Sequence, residues 1–257
     1  MKYMLQILFK STFITTCSLV AFFVIRTVFR TDTMIADIGV LGLFGSFFGV
    51  LFGILSAFVV FEVWGQYNKT VALIEKEAMN LEKIFRLAFY FRDKKFLTSM
   101  KNVVNRYIAV VCTQEFPALA QGSRTSPAGK IFREISQLIC NVKFNDNHDQ
   151  VVFDHMLAEY NTLAEVRSER LVQSLARLPN LLRIFLYMSS FLATSILLVA
   201  PVIVVPFGLL CTGGFVFILS LVLQLVEDLD NPFVGYWNIN VEPYERVQKH
   251  IKEDYTF

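Results

Sequence analysis

Three stretches of this chain contain no Asp, Glu, Lys or Arg: between Lys10 and Arg26, between Asp37 and Glu62, and between Arg183 and Glu227. Lipid offers the backbone no hydrogen-bond partner, so a run of about 20 apolar residues crosses the hydrocarbon core as a helix. Ser11–Phe29 is the first such span and Ile38–Phe61 the second. The third block, Ile184–Val226, is long enough to cross twice. Pro201 and Pro206 bracket its middle in PVIVVP, where proline disfavours continuous helix, so it divides into Arg183–Ala200 and Phe207–Val226. A buried helix pair in a water-soluble protein would need charged outer faces, and these blocks have none. The expected fold is an all-α membrane protein, with four transmembrane helices in two hairpins and a helical cytoplasmic domain between them. The expected boundaries are 1–63 and 183–226 for the hairpins, 64–182 for the middle domain and 227–257 for a C-terminal segment.

Composition agrees with that division. Apolar residues make up 54% of the chain and charged residues 18%, against about 25% charge in a soluble domain. Almost every remaining charge lies in 62–182 or after 227. A net charge of +2, with no basic patch interleaved with aromatics, argues against nucleic acid as a partner. Cys17, Cys112, Cys140 and Cys211 form no CxxC spacing and suit a reducing face better than a disulfide framework. The first apolar stretch is longer than a signal-peptide core, and Arg26 follows where a small-residue cleavage site would stand, so it reads as a span.

Four crossings put both termini and the middle segment on one side. That side carries Lys2, Lys10, Lys69, Lys76, Arg170, Arg177 and Arg183 near the membrane. The far side carries Arg26 and Arg30, partly offset by Asp32 and Asp37. The positive-inside rule therefore makes the middle segment cytoplasmic, with Trp64 and Tyr67 at the inner interface.

Beyond the second span the pattern becomes periodic. Val71, Ile74, Ala78, Leu81, Phe85 and Ala88 alternate spacings of three and four, a helical seam like that of a coiled coil. Asp93-Lys94-Lys95 reads as a break. Phe96, Met100, Val103, Tyr107 and Val110 mark a second helix ending near Pro117. The turn-rich loop QGSRTSPAG precedes a shorter helix over Ile131, Ile135, Leu138 and Ile139. NDNHD is a further loop, and a long helix through Met156, Tyr160, Leu163 and Leu171 runs up to Pro179.

No Gly-rich phosphate loop or nucleophile elbow occurs, so no enzyme activity and no cofactor are expected. His148 and His155, with Asp146, Asp149 and Asp154, are conceivable metal ligands, but their spacing matches no common site and no metal is expected. The second span is more informative. Gly45, Gly49, Gly53 and Ala57 recur every four residues, a small-residue stripe that lets another helix approach closely. Phe44, Phe48 and Phe52 form a bulky ridge beside it. Either the ridge meets lipid or a neighbouring helix, or it lines a dewetting constriction while the glycines pack between subunits. Glu62 closes this span, marking an ion path or else snorkelling to the interface or pairing with Lys10. Glu227, Asp228 and Asp230 cluster at the inner mouth of the fourth span. They would attract cations or simply solvate a helix end.

Four segments stand out in order: AFVVFEVWGQYNKTVALIEKEAMNLEKIFRLA (57–88), RYIAVVCTQEFPALAQGSRTS (106–126), EVRSERLVQSLARLPNLL (165–182) and LDNPFVG (229–235). They resemble, in turn, the membrane-exit segment, the helix running from a tyrosine to "EWP", the Arg-rich helix and the exit motif of the bacterial bestrophin-like domain family, long catalogued as a domain of unknown function. Bestrophins proper are more distant: pentameric ion channels with four spans per subunit and an apolar i, i+4, i+8 neck on the second span. The resemblance implies that Phe44, Phe48 and Phe52 form such a neck, and that Asn231, Pro232 and Phe233 match the bestrophin "NPF". Val234-Gly235-Tyr236-Trp237 stands where animal bestrophins carry a calcium-binding acidic run, so calcium gating is not implied. Phe116 replaces the family's usual Trp, and Leu182-Arg183 an aromatic that often precedes the third span.

The expectation is a homo-oligomeric, pentamer-like ion channel in a bacterial cytoplasmic membrane, whose partners are lipid, inorganic ions and further copies of itself. The rival is a non-conducting, membrane-anchored scaffold or signalling protein acting through the 71–88 seam. A small-molecule transporter would want discontinuous helices with polar groups at mid-membrane, which these spans barely supply.

Overall fold

The computed structural model describes residues 2–29, 38–124, 126–144 and 146–253, and every regular element among them is helical. Two helices precede the middle segment, α1 (Lys2–Phe29) and α2 (Ile38–Tyr90). The middle segment continues with α3 (Lys94–Val110), a π-helical turn (Val111–Glu115), α4 (Phe116–Ala120), α5 (Ala128–Cys140) and α6 (Asn147–Gln173). The chain ends in α7 (Asn180–Val199), α8 (Val205–Asp230) and α9 (Glu242–Glu253). Four of these, α1, α2, α7 and α8, are long and apolar enough to cross a membrane. Two compact units result, one from residues 1–65 and 177–230, the other from 66–176 and 231–257.

In the first unit α1 packs mainly along α8, and the two run antiparallel. Gln224 Nε2 donates to Ser11 Oγ at 2.6 Å near one end, and Phe22 lies against Gly208 near the other. A methyl on Gly208 would stand 2.8 Å from Val202 Cγ1 and 3.1 Å from Phe22 Cζ, so only glycine fits this crossing. Pro206 sits in the first turn of α8 rather than in the connection, because a first-turn residue has no intrahelical N–H bond to lose. The connection is 200–204, and Arg26 closes it. Its guanidinium donates to the carbonyls of Ala200 (2.7 Å) and Val202 (3.2 Å) while lying 4.3 Å over the Phe22 ring. Thus Arg26, expected as a far-side charge, supplies donors to carbonyls left open beyond the end of α7. Arg30, Asp32 and Asp37 lie outside the described residues, as does the connection between the first two spans. Along the other side, Ile196 of α7 faces Gly45 of α2.

In the second unit the periodic seam becomes core. Ile74, Ala78, Leu81, Phe85 and Ala88 are buried, and Val71 packs on them half-exposed. The helix break covers 91–93, two residues earlier than expected. Asp93 is the N-cap of α3, its carboxylate accepting the amides of Lys95 (2.8 Å) and Phe96 (3.1 Å), so both lysines begin the new helix. Pro117 does not end the following helix either. Lacking an N–H for Thr113, it widens the preceding turn, and the Phe116 amide bonds instead to the Val111 carbonyl five residues back. Within NDNHD, Asn147, His148 and Asp149 are helical and Asp146 caps α6 through the Asp149 amide at 3.0 Å. The C-terminal segment holds α9, for which the sequence carries no expected element. Its Tyr244, Val247 and Ile251 join the core of this unit.

Candidate functional site

The face of α2 that the first unit buries is narrow. Phe52, Val59 and Val63 are at most 8% exposed, whereas Leu43, Phe47, Ile54, Phe58 and Phe61 are each more than half exposed. Phe44, Phe48 and Phe52 stack as a column, with adjacent ring centroids 5.9 Å apart. The column is open at one end and covered at the other: Phe44 is 48% exposed and Phe52 8%. Its inner end lines a groove of about 660 Å³ between α2 and the α7–α8 pair, walled by Leu186, Ile196, Phe215 and Val222. Gly45, Gly49 and Gly53 open onto the same groove. Gly45 meets Ile196, but added methyls at Gly49 and Gly53 would touch nothing within 4 Å. Ala57 borders a second, shallower apolar hollow with Phe61 and Trp64.

The acids grouped at the inner mouth are held differently from one another. Asp230 is buried, accepting the Leu178 amide and the Arg183 guanidinium, both at 2.5 Å, and so ties the start of the third span to the end of the fourth. Glu227 accepts the Tyr187 hydroxyl. Asp228 is half-buried and Glu62 exposed. Asp230, its charge matched by Arg183, contributes little to a field that draws ions.

In the second unit, Asn231 donates to the Ala120 carbonyl at 3.0 Å, and Phe233 packs against Phe116 with centroids 5.0 Å apart. The Ile239 amide bonds back to the Pro232 carbonyl at 2.9 Å. The exit motif therefore anchors the chain that leads into α9, with Gly235 at φ +101° making the turn.

The sequence reading missed a buried charge cluster. Glu77 from α2, Glu115 from the π turn, and Arg167 and Arg170 from α6 are all 7% exposed or less. Arg167 grips Glu115 with two bonds, of 3.1 and 2.8 Å. Arg170 bonds Glu77 through Nε and reaches Glu115 at 2.5 Å. Tyr107 donates to Glu77 and accepts from Arg167. The widened turn places Glu115 inward, and its pKa is lowered. Burial pushes it up, but the Arg167 hydrogen bonds and the Arg170 charge outweigh that. Burial and the charge of Glu77 raise the Tyr107 and Tyr244 hydroxyls well above the usual tyrosine range. Burial pushes the Cys112 thiol up to about 11. Glu77 inside an otherwise apolar seam was the signal available in the sequence.

Of the imagined metal ligands, Asp146, His148 and Asp149 bring donor atoms within 4.8 Å of one another. The helix cap accounts for this, since Asp146 holds the Asp149 amide and His148 lies 3.7 Å from the Asp149 carboxylate. Asp154 and His155 lie further along α6, outside the group.

Four apolar helices and a helical unit with a charge-locked core describe a polytopic helical membrane protein. The Bestrophin-like domain model matches residues 12–244, and the chain belongs to that family. A variant of a bacterial bestrophin homologue from Klebsiella pneumoniae has a similar crystal structure, with TM-score 0.72 at 11% identity, covering 96% of this chain and 100% of that one. A second crystal structure, of a membrane protein variant, matches with TM-score 0.66 at 13% identity, covering 96% of each chain. At such identities the shared property is the fold. No curated protein sequence matches the chain.

Proposed function

We propose that the chain is one subunit of an oligomeric, bestrophin-type ion channel in a bacterial cytoplasmic membrane, with both termini and the helical unit cytoplasmic. The observation that carries this reading is the apolar face of α2, which the chain's own helices leave open from Leu43 to Phe61. In a ring of such subunits α2 would line the axis. Phe52 is buried and Phe48 half-buried beside α7 and α8, which supports a pore face centred away from them. Phe44 and the exposed Phe47, Ile54 and Phe58 would therefore form the dry constriction, with Phe48 and Phe52 backing it. Such a neck selects by ease of dehydration more than by sign of charge. Planar-bilayer recording of the purified chain tests the reading. Single-channel currents are expected, and Phe47→Ala and Ile54→Ala should raise conductance more than Phe52→Ala. Silence across salts and voltages would overturn the channel, and a response confined to Phe48→Ala and Phe52→Ala would overturn the assigned face.

A further inference from the structure

The α2–α3 turn and the end of α5 enclose a cavity of about 440 Å³ in the second unit, within the size range of small-molecule sites. Its lining is of two kinds. Phe91, Phe96 and Leu138 are apolar, with the two phenyl rings meeting edge to face at 5.4 Å. Lys95, Lys143, Ser99 and Asn141 are polar. Lys95 and Lys143 have no acidic partner among the described residues. Asp93 is the single acid in the lining, and its Oδ1 is already committed to the Lys95 and Phe96 amides as the cap of α3.

We propose that this cavity is a binding site for a small aromatic acid. Its ring would pack on the phenyl pair and its carboxylate would lie between the two lysines, within reach of the Ser99 and Asn141 side chains. Ring-on-ring packing favours an aromatic over an alkyl body. Two cations facing one capped acid favour an anion over a neutral ligand or a cation. The proposal concerns the helical unit alone and stands whether or not the chain conducts.

The test is equilibrium dialysis of the full-length chain in detergent against 2-naphthoate, with protein-free micelles as the blank. Saturable binding of one naphthoate per chain is expected. A Lys95→Glu/Lys143→Glu double variant should weaken it by about ten-fold or more, and Leu138→Trp, which adds bulk to the apolar lining, by a similar factor. Lys95→Arg/Lys143→Arg should retain it. Thermal melting of each variant reports whether the fold is kept, and both lysines are exposed and unpaired, so it should be. Three results would each overturn the proposal: no saturable binding above the blank, equal binding by the wild type and the charge-reversed variant, or displacement by inorganic phosphate at concentrations no higher than those of the aromatic acid.

Discussion

Arg170 shows how much one side chain can hold when it has no access to water. Its fork bridges Glu77 and Glu115, two carboxylates from different helical segments, and lysine cannot reproduce that geometry. Arg170→Met leaves two buried acids with Arg167 as their one cation among the described residues and should cost about 3–5 kcal/mol, read as a lowered thermal midpoint in detergent. Arg170→Lys should recover only part of the loss. Full recovery would show that charge alone matters. The same cluster sets a pH profile. The depressed Glu115 pKa means its contribution is complete above about pH 4.5 and lost as pH falls through the lower folded value. Tyr107 and Tyr244 are raised, so their contribution is complete below about pH 10 and lost as pH rises beyond it. The contribution of these three groups should thus be flat between these limits, and Tyr107→Phe should soften the alkaline fall.

Among the elements, two glycines of similar appearance in the sequence have opposite surroundings. Gly208 faces Val202 and Phe22 at distances no added carbon can share, so Gly208→Ala should destabilise the α1–α8 pair by about 1–3 kcal/mol. Gly49 faces open space within the chain, so Gly49→Ala should leave the melting of a single chain unchanged. If neighbouring subunits use that groove, Gly49→Leu should instead reduce the oligomer seen by light scattering in detergent. An unchanged oligomer would mean that the glycine stripe lies outside the contact. The second span shows where periodicity stops being informative. Spacing found the Phe44, Phe48 and Phe52 column, but a column on a helix has no outward direction until neighbours are placed. Burial shows that it is covered at Phe52.

For the whole molecule, the open face of α2 predicts assembly. A monomer or dimer cannot enclose an axis with one helix per subunit, so native mass spectrometry of the purified chain should show a ring of about five copies. A monomer that binds lipid and nothing else would leave the scaffold reading standing. What the sequence determined by itself was the solvent of each segment. Hydropathy sums along the chain, so uncharged stretches and the prolines between them placed four helices in lipid, and the ordered motifs placed the family. What only the tertiary structure decided was which side chains meet. Glu77, Glu115, Arg167 and Arg170 come from three helical segments, and Asp230 reaches back to Leu178 and Arg183. Such pairings depend on how helices lie against one another, a long-range property that no local pattern of residues carries.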